Sequence, residues 1–230
     1  MKIRYGYQLS RLPERCACGS VFDIQHALTC KKGGFVSQRH NALSDVTTRL
    51  LTEVCKDVKV EPPLYPLTGE NLREATANKS DDARLDISAR GFWSSGQRAF
   101  FDIRVFSPIA RRYTDMEIKK MYEINEKEKK RQYNERVQMV EHGSFSPLVF
   151  SALGGMAREC SVVYKRLTEL LEKQNQNINL VAPWVRRKIC FSIIKSINIC
   201  VRGTRHPWYT DCLVQSMDKD VDVSGSIANI

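Results

Sequence analysis

Residues 84–106 read RLDISARGFWSSGQRAFFDIRVF, two apolar runs around the turn-forming Ser94-Ser95-Gly96. They predict a β-hairpin, and each run carries one aspartate: Asp86 in Leu-Asp-Ile and Asp102 in Phe-Asp-Ile. Aspartate is depleted in strands and costly to bury without a partner. A turn centred on Ser94 pairs residues whose numbers sum to 188, which sets Asp86 opposite Asp102. Alternation then groups Phe101, Ile103 and Val105 on one face and puts Asp102 and Arg104 on the other. Cross-strand neighbours lie about 5 Å apart at Cβ, and like charges there repel, so a positive group is expected between them. A divalent cation is one candidate, since Mg²⁺ takes a few carboxylates and completes its shell from water or phosphate. The competing reading is an ion pair with Arg84 or Arg104, both on the carboxylate side.

Outward from the hairpin, the apolar period over 37–56 predicts a helix with Leu43, Val46, Leu50 and Val54 on one face and Ser37 as its N-cap. Val58 to Leu64 reads as a short strand and 65–80 as a polar loop. After Pro108 comes a long helix over 115–140, then a strand over 144–151, an amphipathic helix over 157–173 and a basic helix over 183–201. The order helix–strand–strand–strand–helix–strand predicts an α/β fold with a mixed sheet. The expected division is a Cys/His-rich segment at 1–34, a core at 35–175, a basic helical segment at 176–205 and a poorly ordered tail at 206–230.

In the 115–140 helix, steps of about 100° per residue put Ile118, Tyr122, Asn125, Lys129, Tyr133 and Val140 in one sector, with Met121, Gln132 and Arg136 beside them. Within the basic stretch EKEKKRQY, Lys129 is the lysine aimed at the sheet, while Lys127 projects away. Lys129 could stabilise charge beside the aspartates or orient a water. A solvated lysine on a helix surface is the alternative.

The 230 residues carry a formal charge of +10, unevenly spread. Residues 1–40 hold seven Lys/Arg against Glu14 and Asp23, and 183–205 hold six basic residues and no acid. Such segments suit a polyanion, with nucleic acid, DNA or RNA, ahead of a membrane surface. The polar start does not read as a secretion signal, and no apolar run is long enough to span a bilayer. An intracellular setting with reduced thiols is the expectation for the eight cysteines. Four soft donors cluster as Cys16-x-Cys18, His26 and Cys30, a set that suits tetrahedral zinc, although the one-residue first gap is tight. Reduced cysteines in a small buried cluster are the alternative. Lys31 and Lys32 follow as flexible positive charge. His40, in Arg39-His40-Asn41, could ligate a metal or contact nucleic acid.

Several strings together carry a resemblance: CACGSVFDIQHALTCKKGG, RHNALSD, DDARLDI, AFFDIRVFSP, NEKEKKRQY and HGSFSPLVFSALGG. They resemble the restriction-endonuclease-like, or PD-(D/E)xK, nuclease superfamily. More closely, residues 3–205 are similar to the C-terminal endonuclease region of site-specific non-LTR retrotransposon polyproteins. The resemblance implies an α-β-β-β-α-β core with extra C-terminal helices, in which Asp86 and Asp102 hold Mg²⁺ or Mn²⁺. It implies a Cys-Cys-His-Cys zinc knuckle ahead of that core. Leu85 stands where the motif has proline, and Arg104 stands in the motif's lysine place. The related retrotransposon enzymes place the lysine on the following helix, where Lys129 matches by its spacing to Tyr133. Arg104 and Tyr133 then act in support, and Lys31, Lys32, Arg39, His40, Arg84 and Lys130 are candidate nucleic-acid contacts. The implied activity is nicking of target DNA in the nucleus, beside a reverse transcriptase from the same parent polyprotein. A catalytically inactive, zinc-bearing nucleic-acid-binding remnant of the same fold is the alternative.

Overall fold

A computed structural model describes residues 12–174 and 178–203. The expected tail at 206–230 lies outside the described residues. The elements are α1 (Ile24–Thr29), α2 (Phe35–Val54), β1 (Lys56–Val60), β2 (Ile87–Arg90), β3 (Arg98–Phe106), α3 (Ile118–Met139), β4 (Ser144–Ser151), α4 (Arg158–Gln174) and α5 (Ile178–Arg202). The four strands form one open mixed sheet in the order β1-β2-β3-β4. β1–β2 and β2–β3 pair antiparallel, and β4 joins β3 in parallel after the α3 crossover.

The hairpin register is the expected one: Ile87 pairs with Phe101 and Ser88 with Phe100. The ladder stops there, so Asp86 lies just before β2 rather than inside it. Pro147 is paired with Asp102, and β4 is an edge strand, the position where a missing backbone donor is tolerated. Strand alternation feeds two apolar layers. Phe100 and Phe145 meet Tyr133 and Val137 of α3. Phe101, Ile103, Leu148 and Phe150 join residues of α2, α4 and α5. Thr47 of α2 and Tyr164 of α4 meet through their hydroxyl oxygens at 2.6 Å within this second layer. α5, set apart from the core in the sequence reading, adds Val181, Val185, Ile189 and Ile193 to the same cluster.

Four boundaries differ from expectation. β1 occupies 56–60 and not 58–64, because Glu61 has a left-handed φ of 48° and ends the strand ahead of Pro62. A bulge at Asp57, also at φ 48°, twists this lysine-bearing edge. α2 begins at Phe35 with left-handed Gly34 as its N-cap, so Ser37 falls inside the first turn. α3 begins at Ile118, since Asp115 at φ 59° cannot be helical. α5 begins at Ile178 and carries Pro183 within it.

Candidate functional site: a carboxylate–lysine pair and a cysteine–histidine cluster

β3 is a central strand, and its Asp102 is 5% exposed. Lys129, four residues before Tyr133 on α3, brings its ammonium to 2.8 Å from Asp102 Oδ2. The Tyr133 ring lies under the same ammonium, with Nζ 5.6 Å from its centroid, and Tyr133 is itself held against Phe145. Burial pushes the Asp102 carboxyl above the ordinary carboxylate range; Lys129 opposes that shift and Asp86 adds to it. The partner of Asp102 is therefore a lysine rather than Arg84 or Arg104.

Asp86 stands where the β2–β3 ladder ends. Its Oδ2 accepts the Ile103 amide at 2.5 Å, filling the place a longer β2 would take. Its Oδ1 lies 3.2 Å from His40 Nε2, reached from α2. That bond holds the His40 imidazole above its ordinary pKa despite burial, with Asp102 adding and Lys129 opposing. His40, Asp86, Asp102 and Lys129 thus form one electrostatic group, drawn from α2, the start of β2, β3 and α3. Nothing in the spacing linked His40 to Asp86, because the two are 46 positions apart.

The other candidates are spread out. Arg104 pairs with Glu128 at 3.0 Å, not with a carboxylate of the hairpin. Lys130 is ion-paired with Glu159 of α4. Arg84, Lys31 and Lys32 are exposed. Arg39, expected as a nucleic-acid contact, is instead 2% exposed. It donates from Nη2 to the Val105 carbonyl at 3.4 Å, and burial lowers its pKa. The reason is helical phase: Arg39 shares the inward face of α2 with Phe35 and Leu43.

The second cluster is formed by Cys16, Cys18, His26 and Cys30, whose donor atoms all lie within 4.8 Å of one another. A tight turn shapes it. The Cys16 amide donates to Ser20 O and the Gly19 amide to Cys16 O, with Gly19 at φ 88°. Asp23 caps α1 by accepting the His26 amide at 2.6 Å, which aims His26 inward, and Cys30 ends the helix. The Sγ separations are 3.8 Å for Cys16–Cys30 and 3.9 Å for Cys18–Cys30, and Cys18 Sγ is 3.3 Å from His26 Nε2. Tetrahedral Zn–S bonds imply an S–S edge of about 3.8 Å. A disulfide would need about 2 Å. Hydrogen bonds from Ser20 hold the Cys18 thiol down to about 6. The set therefore fits a zinc ion in donor type and spacing.

No helix among the described residues is long and apolar enough to cross a membrane. No protein-family model matches the chain, and no curated protein matches it either.

Proposed function

We propose that the chain is a metal-dependent DNA endonuclease of the restriction-endonuclease-like class, derived from a non-LTR retrotransposon and stabilised by zinc at the Cys16, Cys18, His26 and Cys30 cluster. The observation that carries this reading is the buried Asp102 with the Lys129 ammonium at 2.8 Å, beside Asp86 at the end of the neighbouring strand. Asp86 and Asp102 would hold Mg²⁺ or Mn²⁺. The donor set supports this, since Mg²⁺ is commonly bound by one or two carboxylates, and the buried Asp102 Oδ2 meets the Lys129 ammonium but accepts no hydrogen bond among the described residues. When bound, such a metal lowers the pKa of its water and neutralises a phosphate. Lys129 would offset charge that develops on the phosphate during hydrolysis, fixed in place by Asp102 and Tyr133. Arg104 keeps a positive charge in the motif's lysine place but cannot release a proton, so it supports rather than replaces Lys129. Lys31, Lys32 and Arg84 are exposed charges suited to phosphates without choosing sequence. The same reading sets the protein in the nucleus, beside a reverse transcriptase of its parent polyprotein.

A second reading is a binding module without catalysis. It is favoured by the partners both aspartates already have: His40 and the Ile103 amide on Asp86, and Lys129 on Asp102. Plasmid nicking in Mg²⁺ or Mn²⁺ against a chelated control separates the two. Asp86→Ala, Asp102→Ala and Lys129→Ala should each lower nicking at least about 100-fold, with DNA affinity kept within a few-fold. Full-rate cleavage by both aspartate variants would dismiss this site. A wild-type chain that binds DNA but never nicks it would establish the binding module.

A further inference from the structure

Along α3, a cleft of about 330 Å³ is lined by Thr76, Arg112, Ile124, Lys127, Glu128 and Arg131. Its charge is unbalanced. Glu128 is the one acid in the lining, and its Oε2 is drawn to Arg104 at 3.0 Å and, more loosely, to Arg112 at 3.7 Å. Arg112 also lies over the Tyr113 ring at 4.8 Å, which fixes its guanidinium. Lys127 and Arg131 are exposed and have no anionic partner among the described residues. Four apart on α3, they face the same way and repel. One turn on, Glu135 accepts the Arg73 and Glu74 amides at 2.7 and 2.8 Å, and one turn back Glu123 lies outside the lining and forms no ion pair with Lys127 among the described residues. The lining thus sets Arg112, Lys127 and Arg131 against the single carboxylate of Glu128, which Arg104 also engages.

The cleft is tied to the aspartate site through β3. Arg104 follows Asp102 by two residues on the same strand face, about 7 Å along, and it touches the Glu128 that lines the cleft. We infer that this cleft binds a backbone phosphate of the nucleic-acid strand, next to the phosphate at Asp102. Guanidinium forks match phosphate oxygens in pairs, Lys127 adds a point charge, and Thr76 adds a hydroxyl. Ile124 offers an apolar surface for a sugar. The contact carries no sequence preference. The assignment rests on the nucleic-acid reading of the neighbouring site, but not on cutting.

The test is DNA affinity at several salt concentrations for the wild type, Lys127→Ala/Arg131→Ala, and Lys165→Ala/Lys173→Ala. The last pair removes the same charge from exposed positions on α4. Losing one phosphate contact should weaken binding roughly tenfold and make the log–log salt slope about 1 shallower, with the α4 control within about twofold of wild type. Equal behaviour of the two double variants would overturn the subsite. Saturation by inorganic phosphate with DNA binding untouched by Lys127→Ala/Arg131→Ala would assign a free-anion site and overturn the strand contact. A wild type that never nicks, but shows the slope change, would keep this subsite and end the nuclease reading. Nicking that depends on Asp102, with no slope change, would do the reverse.

Discussion

Asp102 is an expensive residue. Its carboxyl is 5% exposed and pushed upward mainly by burial, with Lys129 offsetting only part of the cost. Between the ordinary carboxyl value of 3.8 and its raised value, the folded chain keeps a proton that the unfolded chain releases. Stability therefore falls as pH rises through that window, the reverse of the usual surface aspartate. His40 adds a loss at higher pH. Its imidazole is raised, so the stabilisation from Asp86 is complete below 6.5 and disappears as pH climbs through the raised value. Asp102→Asn keeps the shape and removes the charge. It should raise Tm at pH 7 by about 3 °C and flatten the acid-side slope, and on the proposed nuclease reading it should also extinguish nicking. Thermal melts from acid to neutral pH read this directly. A lower Tm would show that the Lys129 ion pair outweighs burial.

At the scale of elements, α3 joins the sheet to the long segment between β1 and β2. Arg136, fully buried at 0%, donates to three main-chain carbonyls of that segment: Asn78 and Ser80 through Nη1 at 2.8 and 2.7 Å, and Tyr65 through Nη2 at 2.9 Å. The segment leads into Asp86, so this one guanidinium holds the approach to the site. Arg136→Met keeps apolar bulk but strands three acceptors, and should cost about 3 kcal/mol in urea unfolding. A loss under about 1 kcal/mol would mean that water replaces the arginine. Periodicity had put Arg136 in the sheet-facing sector of the helix, and could go no further. Its acceptors are backbone atoms 56 to 71 positions away, with no side-chain pattern to betray them. The same limit hid the His40–Asp86 contact and the cleft at Arg112. What repeats locally was legible: the α2 and α4 faces, β4, and a hairpin register that follows from the turn alone. The β1 and α3 starts were not, because single left-handed residues at Glu61 and Asp115 set them.

For the molecule as a whole, the cysteine–histidine cluster is a staple between the two ends of the described chain. Cys16, Phe22, Ala27 and Cys30 bury against Val201 and Ile197 of α5, while Leu28 and Phe35 pack with Cys200 and Ala152. α1 is only six residues long and cannot hold itself by local bonds. Its order rests on that packing against α5 and on whatever the four donors grip. A zinc ion there would fix the segment leading into α2, and through α2 the position of His40 beside Asp86. The chain should bind zinc at about one equivalent, and stripping it with a strong chelator should lower Tm by several degrees. Cys16→Ser and Cys30→Ser should lose the metal and lower Tm alike. Cys55→Ser should keep the metal, since Cys55 lies at the end of α2 outside the cluster, its thiol pushed up to about 11 by burial. Metal content by atomic spectroscopy and melting curves decide it. Full zinc retention in the Cys16 and Cys30 variants, or a Tm indifferent to chelation, would reduce the cluster to four reduced side chains packed on α5.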